Sequence, residues 1–359
     1  MENFIPLKLI FDTGAENTLI FDKQWLDLFK DNYVREIKIL GSDLNEEIPA
    51  FVTKPMNFHI TNFGNYKQPL IVLKENLIHL DEVVGQNIHG ILTASLFKDF
   101  LIQINYKTQH IILHENKTPI KNINEFAAIP IRITKNKPYI NATVSFADQH
   151  TDSLELLLDT GAALTLLLYA NAISNFIIPK NVIPGRLGSG LGGILEGYLG
   201  RIHKISIDKF EFHNLISNFQ EMNSTQLEME SKNKQGILGN SILERFHVIL
   251  DYKKEILYLK PLKNYHKEFQ YDKSGLIVLA NGFSYDKFFI SFILPGSPSA
   301  ESGLMVGDQI LSINRIPASF ISLSKLNRFL QKEEGKIIQF KLKRDKKVLR
   351  RNIELRNLI

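Results

Sequence analysis

Leu156-Leu157-Leu158-Asp159-Thr160-Gly161-Ala162 sets an acid behind three leucines and ahead of a small polar residue and a glycine. Leu9-Ile10-Phe11-Asp12-Thr13-Gly14-Ala15 makes the same pattern near the amino terminus. A carboxylate at the end of a buried strand is costly unless hydrogen bonds surround it. A glycine two residues on lets the chain turn tightly and aim backbone N–H groups at that carboxylate. One Asp-Thr-Gly arises by chance in roughly one chain in ten of this length, and a lone copy reads as a strand ending in a polar turn. Two copies with the same apolar lead-in read as a pair of acids brought to one site.

The repeat extends beyond the triplets. Gly90 follows Asp12 by 78 residues, and Gly236 follows Asp159 by 77. From there Leu101-Ile102-Gln103-Ile104-Asn105-Tyr106-Lys107 aligns without a gap on His247-Val248-Ile249-Leu250-Asp251-Tyr252-Lys253, and Phe100 on Phe246. A unit of about 145 residues used twice predicts two pseudo-twofold lobes with a site between them.

Composition narrows the function classes. A chain of 359 residues has room for two or three domains, and 44% hydrophobic with 23% charged residues suits a globular protein. The net charge of +5 has a local source in Lys341, Lys343, Arg344, Lys346, Lys347, Arg350 and Arg351. These alternate with Ile338, Phe340, Leu342, Val348 and Leu349, which is a hairpin with a solvated face rather than a nucleic-acid surface. There is no cysteine, so disulfides and thiol chemistry are excluded. The histidines His59, His79, His89, His110 and His114 make no metal-ligand set; the last two lie roughly 13 Å apart on a strand. No metal or cofactor is expected. No apolar run reaches membrane-spanning length, and no signal peptide precedes Asp12.

Along the chain, Ile5 to Phe11 reads as a strand, Phe21 to Phe29 as a helix, Val34 to Leu40 and Ile48 to Val52 as strands about a turn at 41–45. Further strands fall at 56–60, 69–73, 101–106 and 110–113. In the second copy Tyr139 to Phe146 forms a hairpin with the strand into Asp159. The first copy has Met1-Glu2-Asn3 where that hairpin's turn should be, so a shortened first lobe or a missing front segment is expected. A helix is predicted near Leu164 to Ala172. The run Pro184-Gly185-Arg186-Leu187-Gly188-Ser189-Gly190-Leu191-Gly192-Gly193 lacks the Gly-Lys-Ser/Thr ending of a phosphate loop. It suits a hairpin, either a plain structural turn or a mobile flap with Gly188, Gly190 and Gly192 near its tip.

From Leu9 to about Pro261 the chain resembles the two-lobed bacterial aspartyl proteases, pepsin-like and retropepsin-like. The resemblance implies a mainly β fold of duplicated acid-protease barrels, spanning residues 1–125 and 126–265. It implies Asp12 and Asp159 as the catalytic pair, supported by Thr13, Gly14, Thr160 and Gly161, and a polypeptide substrate lying extended between the lobes. It also implies a periplasmic, secreted or cell-envelope address. In that fold a Gly-Ile-Leu-Gly segment crosses beside each catalytic turn. Gly236 to Gly239 keep it, whereas Thr93 stands at the second glycine of the first lobe, which implies a local rearrangement. Many pepsin-like enzymes carry serine or threonine where Ala15 and Ala162 stand. A hydroxyl there stabilises the ionised pair, so its loss predicts activity in mildly acidic to near-neutral conditions.

Residues 270–359 resemble the PDZ domains attached to bacterial proteases, carried by the strand Phe288 to Leu294, then Pro295 to Leu304, then Val306 to Asn314. Leu323, Leu326 and Phe329-Leu330 have the spacing of a groove helix. Such domains add an extended peptide to a sheet edge and hold its terminal carboxylate in backbone N–H groups. Gly275-Leu276-Ile277 is the expected carboxylate loop; the alternative is a domain that only packs against the protease. The competing function is a catalytically inactive peptide-binding scaffold, favoured by Thr93 and the short start.

Overall fold

The computed structural model describes residues 6–24, 32–40, 47–60, 63–76, 79–115, 120–146, 150–174, 176–190, 193–222 and 234–359. The first repeat holds β1 (Leu9–Asp12), β2 (Leu19–Ile20), β3 (Tyr33–Leu40), β4 (Glu47–Thr53), β5 (Met56–Ile60), β6 (Gly64–Gln68), β7 (Ile71–Leu73), helix α1 (Leu80–Val84) and β8 (Gly90–Thr93). Then come β9 (Phe100–Asn105), β10 (His110–Glu115) and β11 (Ala127–Pro130). The second repeat holds β12 (Arg132–Thr134), β13 (Lys137–Ser145), β14 (Thr151–Asp159), β15 (Leu166–Tyr169), β16 (Ile183–Gly190), β17 (Gly193–Ile207), β18 (Phe210–Gln220), β19 (Gly236–Gly239), β20 (Phe246–Asp251) and β21 (Ile256–Pro261). The molecule is mainly β, as the alternating apolar patterns require.

The two halves agree strand for strand. The first sheet runs β1-β8-β2-β7-β4-β3, and the second runs β14-β19-β15-β18-β17-β16, with β13 and β12 added beside β14. β4 and β5 together correspond to the long β17, and β6 and β7 to β18. Pro55 and Pro69 fall at the two interruptions, where a residue without N–H cannot continue a ladder. Thr53 bridges the break: its N–H donates to the Leu70 carbonyl at 2.9 Å, and its hydroxyl accepts from the Leu70 N–H at 2.9 Å.

A five-stranded sheet, β10-β9-β20-β21-β11, joins the halves. Its central antiparallel pair sets Ile104 against Val248, Gln103 against Ile249 and Ile102 against Leu250. Gln103 and Ile249 are counterparts in the repeat, so the local twofold passes through a residue and its own copy. The buried Ile102, Ile104, Val248 and Leu250 continue into the core of the second half. A smaller core under the first sheet gathers Leu19, Phe21, Ile48, Ala50, Leu73, Leu80 and Ile91.

The last sheet comprises β22 (Leu276–Asn281), β23 (Lys287–Ile293), β24 (Gln309–Ile313), β25 (Ile316–Pro317), β26 (Ile337–Arg344) and β27 (Lys347–Glu354). Helix α2 (Leu323–Leu330) lies over it. The Ser322 hydroxyl caps α2 by accepting from the Lys325 N–H, and Leu323, Leu326 and Leu330 face inward. Among the described residues no helix is long and apolar enough to cross a membrane.

Two local expectations need correction. The Leu164 to Ala172 stretch is not helical: Leu166–Tyr169 is β15, buried throughout, followed by a short 3-10 turn at Ala170–Ala172. β15 lies between β19 and β18, so its residues are buried on both faces and read as a continuous apolar run. In the Phe21 to Phe29 stretch, Phe21 is instead core beside β2, its N–H bonded to the His89 carbonyl at 2.9 Å, and residues 25–29 lie outside the described residues. Met1 to Ile5 and the turn at 41–45 also lie outside them.

Candidate active site

β1 and β14 carry Asp12 and Asp159 to the middle of the molecule. Each runs parallel to the strand that follows its repeat's long excursion, with Asp12 beside Thr93 and Asp159 beside Gly239. Both acids are half-buried, and their carboxyl groups share a hydrogen bond. The turns after them are matched. Asp12 Oδ1 accepts from the N–H groups of Gly14 at 2.6 Å and Ala15 at 3.2 Å; Asp159 Oδ1 accepts from Gly161 at 2.7 Å and Ala162 at 3.0 Å.

The glycines serve a second purpose across the axis. A Cβ on Gly14 would lie 2.6 Å from Asp159 Cγ, and one on Gly161 would lie 2.6 Å from Asp12 Cγ. Only glycine lets each turn come under the opposite carboxyl group. The threonines lock the two turns together. Thr13 Oγ1 donates to the Leu158 carbonyl at 2.6 Å and accepts from the Thr160 N–H at 3.0 Å. Thr160 Oγ1 donates to the Phe11 carbonyl at 3.0 Å and accepts from the Thr13 N–H at 3.1 Å. Four bonds thus fix the separation of the two acids.

The electrostatics follow from this confinement. Burial raises the Asp12 carboxyl well above the ordinary range, and the charge of Asp159 adds to the rise. Burial also raises Asp159, opposed by its hydrogen bonds from Asp12, Gly161 and Ala162 and by the charge of Lys234. Two carboxyl groups this close retain a proton between them. The arrangement holds one acid and one base on either side of a shared axis.

Thr93 is accommodated because the first loop is shorter. Leu19 lies seven residues after Asp12, whereas Leu167, which faces the equivalent strand, lies eight after Asp159. In the second half the loop crowds Gly239, where a Cβ would meet the Leu164 carbonyl at 2.2 Å. In the first half Thr93 fits and its hydroxyl donates to the Ala15 carbonyl at 2.7 Å. The Asn240 N–H makes the matching bond to Ala162 at 2.8 Å. The rearrangement leaves the turn supported.

A second asymmetry was hidden in the sequence. Tyr106 donates to Asn240 Oδ1 at 2.6 Å. Its counterpart Tyr252 has Ala94 in the corresponding place, so its buried hydroxyl has no protein partner among the described residues. Burial, with the nearby charge of Asp12, raises that phenol.

Gly188 and Gly190 lie in β16, which pairs with β17 as an antiparallel hairpin with a bulge between Arg186 and Gly188. Gly192 lies outside the described residues. The β3–β4 hairpin, whose two strands fall where the sequence places them, is its counterpart in the first half.

In the last domain, Gly275 has φ +77° and packs against Ser297, where a Cβ would come within 2.3 Å. Leu276 and Ile277 begin β22. The N–H groups of Ser274, Gly275 and Leu276 all donate to Asp272 Oδ1, at 3.0, 2.6 and 3.2 Å.

A family model for the PDZ domain matches residues 275–343, so this part of the chain is a PDZ domain. No curated protein matches the chain. Among solved structures, a retropepsin-like aspartic protease from Rickettsia conorii is 22% identical over 37% of this chain and 90% of that one, with a TM-score of 0.27. The photosystem II D1 C-terminal processing protease is 19% identical over 24% of this chain and 23% of its own, with a TM-score of 0.22. The HtrA3 PDZ domain bound to a phage-derived ligand is 19% identical over 24% of this chain and 86% of its own, with a TM-score of 0.21. The chain therefore spans under a quarter of the processing protease.

Proposed function

We propose that this protein is an aspartic endopeptidase in which Asp12 and Asp159 hydrolyse a peptide bond without a covalent intermediate. The observation that carries the reading is the shared hydrogen bond between two buried-side carboxyl groups, each cradled by the same turn and locked by reciprocal threonine bonds. The ionised member accepts a proton from a water molecule between the acids as it attacks the scissile carbonyl carbon. The protonated member donates to the carbonyl oxygen. Collapse of the tetrahedral species then needs a proton on the leaving nitrogen, which the first acid now holds. The substrate runs as an extended strand between the lobes, under the hairpins β3–β4 and β16–β17. The PDZ domain supplies a further peptide-recognising unit.

The test is a mixed peptide library incubated with the full chain across pH, with products sequenced by mass spectrometry. Asp12→Asn and Asp159→Asn keep the shape of the side chain and each should lower cleavage by about a thousandfold or more. Either single variant cleaving at the parent rate would sink the mechanism and favour a binding scaffold.

A further inference from the structure

The PDZ domain carries three features that converge on its groove. First, the expected carboxylate loop opens at Gly275-Leu276, and the N–H groups of these two residues and of Ser274 before them are all given to Asp272 Oδ1. The Ser274 hydroxyl also donates to Asp272, at 2.9 Å to each oxygen. Burial pushes this carboxyl up to about 6 against the lowering pull of those donors. Its oxygens hold the donors that an incoming carboxylate would need.

Second, the apolar side chains that β22 and α2 turn inward are committed to the core of the domain itself, with Phe329 partly buried against it. Leu276, Val278 and Ala280 of β22 and Leu323, Leu326 and Leu330 of α2 are all buried. Third, the end of the groove away from that loop is filled by the first repeat. Gly85, at φ +71°, ends α1 so close that a Cβ would stand 2.8 Å from Leu323 Cβ and 3.5 Å from Ala280 Cβ. Tyr285 Oη donates to Asp81 at 2.5 Å, and Asn281 Nδ2 donates to Glu82 at 3.1 Å.

We infer that this PDZ domain does not capture free C-terminal carboxylates: Asp272 fills its carboxylate nest, and its groove clamps an internal segment of the same chain, residues 79–86. The ligand class is therefore a turn with no chain end, held by an apolar seat at Leu323 and Ala280 and by two polar bonds. The clamp continues toward the acids. Leu80 at the start of α1 packs in the cluster that contains Ile91, and Ile91 lies on β8 beside the strand of Asp12. Any effect of the clamp on cleavage rests on the proposed peptidase reading; the clamp itself does not.

The test uses the full chain carrying Asp12→Asn and Asp159→Asn, so that binding is read without cleavage. Fluorescein-labelled decapeptides with randomised last four positions are titrated as free acids and as C-terminal amides. Captured carboxylates gain charge-assisted bonds, so a working nest prefers the acid by about tenfold or more. The expected acid preference is under about threefold, and a larger one overturns the inference. In a second arm, Asn281→Ala with Tyr285→Phe removes both polar ties. Loss of two hydrogen bonds should speed hydrogen exchange at residues 82–86 by about tenfold, as read by mass spectrometry. A rise below about threefold also overturns the inference.

Discussion

The Thr93 hydroxyl donates to the Ala15 carbonyl at 2.7 Å and so does in one half what the Asn240 N–H does for Ala162 in the other. The bond ties the strand after the first excursion to the turn that presents Asp12. Thr93→Gly should cost about 1–2 kcal/mol, from the lost bond and the added chain freedom, and lower kcat more than it changes KM. Thr93→Ser should recover most of both. The reverse change, Gly239→Thr, drives a side chain into the Leu164 carbonyl and should leave little folded protein in a urea titration.

The two tyrosines predict opposite responses to one atom. Tyr106→Phe deletes a bond to Asn240 and should destabilise by about 1 kcal/mol. Tyr252→Phe deletes a buried hydroxyl that no described protein group meets and should be neutral or stabilise by about 1 kcal/mol. Equal losses for both variants in thermal melts would refute the asymmetry.

Asp12 and Asp159 both sit above the ordinary carboxylate range, so the folded chain binds a proton that the unfolded chain gives up. That contribution to stability is complete below the ordinary value of 3.8 and is lost as pH rises through the folded values. The melting temperature should therefore fall with rising pH above about 4, and Asp12→Asn should flatten the curve. Serine at both Ala15 and Ala162 should move the activity profile toward acid; an unmoved profile would show that another group sets the pair.

In the PDZ domain the Asp308 carboxylate is fully buried and accepts Arg344 Nε at 2.7 Å, Arg344 Nη2 at 2.8 Å and the Met305 N–H at 3.0 Å. Burial works against the charge, but these donors prevail and hold the carboxyl below its usual value. Its stabilisation is present above the ordinary range and is lost as pH falls through the folded value. Asp308→Ala should destabilise the domain by removing the acceptor of Arg344 and of the Met305 N–H, with Asp308→Asn intermediate, as measured by urea unfolding.

The Asp-Thr-Gly turn pattern was legible because its constraints are local: a carboxylate, its turn and its lead-in strand lie within seven residues. The alignment of Leu101–Lys107 on His247–Lys253 was legible as a repeat, but the pairing of the two copies with each other, Ile104 against Val248, was not. What escaped depends on distant partners. Leu166–Tyr169 became a strand because β18 and β19 flank it, which an apolar run alone does not reveal. The tolerance of Thr93 depends on the loop from Asp12 to Leu19, one residue shorter than its counterpart and about 75 positions away in sequence. The Gly275 loop fits the PDZ pattern, but the spacing Asp272-Lys273-Ser274-Gly275 conceals a carboxylate that turns back on its own chain.

Gln103 facing Ile249 marks where the pseudo-twofold axis crosses the chain. A residue that meets its own copy is the mark of a self-complementary surface, the kind by which two identical subunits close on one another. The sheet between the halves has the geometry of such a surface, here closed within one chain. Within one chain the two copies need not be alike. Position 93 carries threonine where 239 carries glycine, and 94 carries alanine where 240 carries asparagine, each difference lying in one carboxylate's surroundings alone. The PDZ domain adds to this asymmetry: it grips α1 in one half, so a pseudo-twofold molecule is addressed from a single side.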